Sequence, residues 1–127
     1  MQQTLTWFAD RLTNNIVFGG FDENDALSGV VGITHSQAIK TRHNAFLWGM
    51  YVRPAARATG LSRRLLDAAT QEALLHCRSI RLAVVATNQA AQRLYAAAGF
   101  RAWATDQGAL MVNDVLYDEI MMRLDRA

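Results

Sequence analysis

Residues 46–75, FLWGMYVRPAARATGLSRRLLDAATQEALL, constrain this chain more than any other stretch. An apolar strand ends at Val52, and a short loop follows from Arg53 to Thr59 with the only proline, Pro54, at its start. Gly60 then opens a helix whose first turn has no acidic side chain. Strand, basic loop and uncovered helix start together make an anion site out of backbone. The first N–H groups of a helix lack intrahelical acceptors, and the helix dipole adds partial positive charge at that end. Arg57, Arg63 and Arg64 add formal charge around it.

The rest of the chain must support that site within one fold. Its 127 residues suffice for one core and not for two, so a single domain over residues 1–127 is expected. A net charge of +2 gives no reason to expect nucleic acid or a membrane surface as partner. Cys77 is the only cysteine, which rules out an internal disulfide and a thiolate metal site and fits a reducing compartment. The opening MQQTLTWFADRL lacks the basic-then-apolar layout of a signal peptide, and no apolar run reaches the length of a membrane span. The expectation is a cytoplasmic protein that needs no metal.

Apolar Leu5, Phe8, Ala9 and Leu12 recur at helical spacing, which predicts a short helix over 4–12. Ile16–Phe21 and Leu27–Ile33 read as a hairpin around the polar turn Asp22–Asp25. The glycines at 19, 20, 29 and 32 mark bulges or close backbone approach. Ala45–Val52 is the third strand, with Phe46, Trp48, Met50 and Val52 on one face and Leu47, Gly49 and Tyr51 on the other. Bulk on both faces predicts a central strand covered on both sides. A helix from Gly60 to about Cys77 buries Leu61, Leu65, Leu66, Ala69, Ala73 and Leu74. Ile80–Ala86 is a short strand, and Gln89–Ala98 a helix closed by Gly99. Phe100–Thr105 is a strand, Asp106–Asn113 a loop, and Val115–Leu124 the last strand. This order predicts an α+β domain in the three-layer α/β style, with a mixed central sheet and one right-handed parallel crossover.

Two motifs now combine. One is Val52-Arg53-Pro54 followed by Arg57-Ala58-Thr59-Gly60-Leu61-Ser62; the other is Asn88, Ala91, Leu94-Tyr95 and Gly99-Phe100. Together, at this separation, they resemble the GNAT superfamily of acetyl-coenzyme A-dependent N-acyltransferases. The family's pyrophosphate loop reads Arg/Gln-x-x-Gly-x-Gly/Ala, and a later helix reads Asn-x-x-Ala-x-x-Leu-Tyr-x-x-x-Gly-Phe. Trp48-Gly49-Met50-Tyr51-Val52 and the Tyr117–Met122 segment also look like the family. The resemblance runs from about Ile16 to Leu124.

The resemblance implies a GNAT sheet topology and acetyl-coenzyme A as co-substrate. It places the pyrophosphate on the N–H groups of Ala58, Thr59, Gly60, Leu61 and Ser62 with Arg57 as countercharge. It places the pantetheine arm along Met50, Tyr51 and Val52, with the Asn88 amide and Tyr95 also on the cofactor. The reaction implied is acetyl transfer to an amine of a small molecule or peptide by direct attack in a ternary complex. The N–H of Met50 or a neighbour would stabilise the oxyanion, and Tyr95 would be the general acid for the departing thiolate. The strand before the loop has no acidic residue, so the base is either His43, just before it, or a water relayed by backbone carbonyls. The alternative function is a module that binds acetyl-coenzyme A with little or no catalysis.

Each assignment has a plainer counterpart. Tyr95 sits on the apolar stripe of its helix and serves equally as a core aromatic. Asn88 is a good helix N-cap, a role compatible with cofactor contact because its amide has separate ends. His35 and His43 read as solvated loop residues, and Cys77 as a small buried hydrophobe. Trp7, Trp48 and Trp103 read as core or interface aromatics. Asp118 or Glu119 suits a cationic acceptor, with the other turned to solvent. Against the family pattern, the first strand and first helix are missing, so the domain reads as N-terminally shortened. The strand at Ile16 would then be a sheet edge, which predicts a homodimer that covers it.

Overall fold

A computed structural model describes residues 8–12, 15–22 and 24–127. The strands are β1 (Phe8–Leu12), β2 (Asn15–Phe21), β3 (Leu27–His35), β4 (Asn44–Val52), β5 (Ser79–Val85), β6 (Arg101–Val112) and β7 (Val115–Asp125). The α-helices are α1 (Leu61–His76) and α2 (Gln89–Ala97). All seven strands form one sheet in the order β1-β2-β3-β4-β5-β7-β6. The neighbours β4 and β5 run parallel, joined through α1; the other pairs are antiparallel. The mixed sheet and α+β character are those expected.

Helix α1 forms because Leu61, Leu65, Leu66, Ala69, Thr70 and Ala73 make one buried stripe at helical spacing. That stripe joins Val31, Ile33, Ala45, Leu47 and Ile80 in a single core. The helix comes close to β3 at Gly29, where a Cβ would lie 2.8 Å from Leu65 Cδ1. Helix α2 is capped by Asn88, whose Oδ1 accepts from the Ala91 N–H at 3.1 Å. It ends in a Schellman turn: the Phe100 N–H donates to Tyr95 O and the Gly99 N–H to Ala96 O, both at 3.0 Å. Gly99 supplies the positive φ this requires, 102°. The apolar contact that goes with such a turn is the Phe100 ring, edge-on to Tyr95 with centroids 5.9 Å apart.

The structure corrects the sequence expectation at both ends and in the middle. Residues 8–12 are not helical; they form β1, with Phe8 opposite Gly19 and Leu12 opposite Asn15. A helix of that length is marginal in water, while a neighbouring strand supplies ladder hydrogen bonds at once. The remainder of the expected helix, and Trp7, lie outside the described residues. The strand at Ile16 is therefore not an edge; β1 and β6 are the edges. Residues 106–112, expected as a loop, belong to β6. The two-residue turn Asn113-Asp114, with φ of 51° and 64°, closes a hairpin in which Met111 faces Leu116 and Val112 faces Val115.

Strand β4 is central but not covered on both sides. Leu82, Val84 and Met122 share one core with residues of α1 and with Tyr95 and Phe100, so both helices lie on the same face. Among the described residues no helix covers the other face, where Phe46, Trp48 and Trp103 are 44%, 45% and 48% exposed. The expected alternation along β4 also fails beyond Trp48. Gly32 faces Trp48 while Val30 faces Tyr51, so Val31 alone spans Gly49 and Met50. The extra residue is a bulge, and after it Val52, not Tyr51, turns into the core.

Candidate active site

The bulge is what opens the site. Gly49 sits at φ 64°, a conformation that costs glycine little and other residues about 1–2 kcal/mol. A bulge bends and twists its strand. Pairing between β4 and β5 accordingly runs only from Asn44 opposite Ser79 to Phe46 opposite Arg81. Beyond that the two parallel strands part, and their facing edges border a cleft of about 780 Å3. Its walls are residues 47–52 of β4, 82–85 of β5, and Ala91, Leu94 and Tyr95 of α2, with Arg57 and Ser62 at one end.

The loop from β4 to α1 is held by its own hydrogen bonds. The Arg53 N–H donates to Ser28 O at 2.8 Å, and the Arg53 guanidinium meets Asp22 at 3.0 Å. Arg57 Nε donates to Val52 O at 3.1 Å, and the Thr59 hydroxyl to Ala56 O. Ala58 and Gly60 both have positive φ, 64° and 84°. Gly60 caps α1 without any side-chain hydrogen bond, and the first turn has no acidic residue. The first turn's bond from the Arg64 N–H reaches Gly60 O, so the N–H groups of Leu61, Ser62 and Arg63 remain directed outward. Arg63 is paired with Asp67 at 2.9 Å, which leaves Arg57 as the cation lining the cleft.

Met50, Tyr51, Val52, Arg57, Ser62, Asn88 and Tyr95 all line the one cleft. Ala58, Thr59 and Gly60 are exposed between Arg57 and Ser62. Leu61 offers only its N–H, since its side chain is fully buried in the core. Tyr95 is 7% exposed, and burial pushes its phenol pKa above 10. His43 is placed elsewhere. It precedes β4 at the closed end of the strand pair, where its carbonyl accepts from Arg78 and Ser79 N–H groups. Seven strand positions, roughly 20 Å, separate it from Met50. His43 is not among the residues that line the cleft. Among the described residues the titratable side chains that line the cleft are Tyr51, Arg57 and Tyr95. Asp118 is engaged at the β6 bulge, its Oδ1 accepting from the Gly108 N–H at 2.9 Å.

A second hollow of about 480 Å3 adjoins the cleft on the open face. Leu47, Trp48, Gly49, Leu82 and Ala83 line both. Nothing in the sequence marked it, because Asn44, Arg81 and Trp103 come together only through strand pairing. The one faint signal is Gly32, which lies opposite Trp48 once the register is known.

The geometry is that of a mixed sheet splayed between two parallel strands, with an uncapped helix start and Arg57 beside the gap. Residues 1–100 match the Acetyltransferase (GNAT) family model. The chain belongs to this acetyl-coenzyme A-dependent family. An acetyltransferase of the GNAT family from Streptococcus pneumoniae is similar at 27% identity and TM-score 0.82, over 89% of this chain and 68% of that one. The yncA protein of Salmonella typhimurium, solved with its cofactor acetyl-CoA, is similar in fold at 23% identity and TM-score 0.79, over 87% of this chain and 64% of that one. NAA60 of Arabidopsis thaliana, solved with a bisubstrate analogue, is similar in fold at 18% identity and TM-score 0.77, over 88% and 75%. A search of curated proteins found no match.

Proposed function

We propose that this chain is an N-acetyltransferase that moves the acetyl group of acetyl-coenzyme A to a primary amine by direct attack in a ternary complex. The observation that carries the reading is the convergence of Met50–Val52, Arg57, Ser62, Asn88 and Tyr95 on one cleft. The cleft fits the cofactor. Its volume is typical of a ligand site, its β4 edge is unpaired beyond Phe46, and the α1 start is uncapped. The N–H groups from Ala58 to Ser62, with the Arg57 guanidinium, would hold the pyrophosphate. The β4 edge at Met50–Val52 and the free N–H2 end of Asn88 would hold the pantetheine amides. When bound, acetyl-coenzyme A supplies the activated acetyl group as a thioester.

The chain's own residues do the rest. An N–H at the β4 bulge offers a donor to the carbonyl oxygen as negative charge develops there. Tyr95 retains its proton to high pH because it is buried, so at neutral pH it donates to the departing sulfur. Among the described residues no carboxylate or imidazole lines the cleft, so the amine loses its proton to water relayed by backbone carbonyls. A lysine-type amine has a pKa of about 10.4 and an α-amine one nearer 8, and a site with no side-chain base favours the weaker base. Membership of a single domain over 1–127, a homodimer and a reducing compartment complete the reading. The buried Cys77, whose thiol donates to Ala73 O at 2.9 Å, suits the last.

Titration calorimetry with acetyl-coenzyme A is expected to give micromolar affinity, lost in Gly60→Glu, which puts bulk and negative charge at the helix start. Equal affinity in that variant would refute the placement of the site. Binding without thiol release over a panel of amines would favour a non-catalytic cofactor-binding module.

A further inference from the structure

We propose that the hollow on the open sheet face is the acceptor subsite, and that it takes a primary amine bearing a carboxylate and a large apolar or aromatic side chain, as in a free amino acid. This rests on the acetyl-transfer reading and names its acceptor class. Arg81, Arg123 and Arg101 stand directly opposite one another across β5, β7 and β6, and so share the open face. Asp125 pairs with Arg123 at 2.9 Å and with Arg101 at 3.2 Å. Arg81 has no carboxylate partner among the described residues. Its guanidinium lies 5.6 Å from the Trp103 ring centroid, and both residues line the hollow.

Two residues that line the hollow each hold a buried, unpartnered polar atom. These atoms are Arg81 Nε and Asn44 Oδ1, the latter on a residue only 9% exposed. Buried polar groups are nearly always satisfied, so a hollow that keeps two unsatisfied is shaped for polar contents at that end. A carboxylate suits it: it takes paired N–H bonds from a guanidinium, and the Asn44 carboxamide, turned about its last torsion, adds an N–H2 donor. The other walls are apolar. The Trp48 indole lies flat on Gly32, where a Cβ would come within 2.4 Å of the ring. Trp48, Trp103, Phe46 and Met121 therefore offer an aromatic and aliphatic bed beside the charge.

The placement fits the chemistry. Ala83, two positions beyond Arg81 and about 7 Å along β5, lines both hollow and cleft. A carboxylate held on Arg81 leaves the amine of the same molecule facing the cleft. There the amine nitrogen bonds to the acetyl carbon as the carbon–sulfur bond breaks. The ammonium loses two protons in all; one is released to water, and the sulfur receives one through Tyr95.

The test compares L-phenylalanine with 2-phenylethylamine, which lacks only the carboxylate. Thiol release is expected to favour phenylalanine by at least about ten-fold in kcat/KM, and Arg81→Gln to abolish that preference while leaving acetyl-coenzyme A affinity unchanged. Equal use of the two amines by the wild-type protein, or an unchanged preference in the variant, overturns the proposal. A second readout does not need turnover. L-Phenylalanine, transparent at 295 nm, is expected to change the fluorescence of Trp48 and Trp103 saturably, and 2-phenylethylamine to do so far more weakly. The same response to both amines, or none to either, overturns the subsite. A carboxylate-dependent response in a protein that releases no thiol supports the subsite and overturns catalysis alone.

Discussion

Tyr95 shows how one side chain serves two needs. Its ring belongs to the core and to the Schellman turn that ends α2, and the residue also lines the cleft. The burial that makes it a core residue is also what raises its pKa, so it stays protonated throughout the physiological range. Tyr95→Phe keeps the ring and removes the proton. It is expected to lower kcat by about 10²–10⁴-fold while sparing cofactor affinity, as measured by thiol release and calorimetry. Undiminished turnover would remove the acid role. The sign of the pH effect follows: a phenol pKa raised on folding favours the folded state below the unfolded value of about 10, and that advantage is lost as pH rises through the higher folded value. At the other extreme, Asp125 is held at a pKa of about 2, chiefly by hydrogen bonding to Arg123. Its contribution is present above the usual 3.8 and lost as pH falls toward 2.

Among the elements, the loop before α1 gives up stability for geometry. Ala58 adopts φ 64°, where a side chain is disfavoured, and it does so in the turn that directs N–H groups toward the cleft. Glycine there would relieve about 1–2 kcal/mol of strain against about 0.5–1 kcal/mol of added chain entropy. Ala58→Gly is therefore expected to raise stability by about 0.5–1 kcal/mol in urea unfolding, with no loss of acetyl-coenzyme A binding. A destabilised variant would show that the methyl group makes contacts that outweigh the strain. The β4 bulge follows the same logic at Gly49, but there glycine already occupies the position. The motif around Arg57–Ser62 was legible because loop and helix start are local. The bulge was not: a glycine in a strand hints at irregularity, but its position depends on the register with β3.

At the scale of the whole molecule, the β6–β7 hairpin extends past the end of β5, which pairs no further than Val85 opposite Glu119. Its outer part exposes Leu110, Met111, Val112, Val115 and Leu116. Residues 102–122 hold Asp106, Asp114, Asp118 and Glu119 and no lysine or arginine, a charge of −4 in a chain of +2, so the remainder carries +6. A two-stranded ribbon is weak on its own, and an apolar, acidic one suits the basic remainder of a second copy. This predicts a homodimer on different grounds from the bare edge first expected at Ile16, which β1 covers. Sedimentation velocity at micromolar concentration is expected to show a dimer that weakens as salt rises. A monomer at all salt concentrations would refute it.

The sequence by itself determined the pieces whose physics is local: the loop and uncapped helix start between β4 and α1, the α2 cap and Schellman turn, the helical stripes, and through two spaced motifs the family. Only the tertiary structure decided what depends on pairing between distant strands. Residues 8–12 became a strand because β2 was there to pair with. Both helices fell on one face, leaving the other without a helix among the described residues. His43 lay at the closed end of the strands, outside the lining of the cleft. Arg81, Asn44, Trp48 and Trp103 met in one hollow because the register of β3–β7 brought them there, and no periodicity along a single strand carries that register.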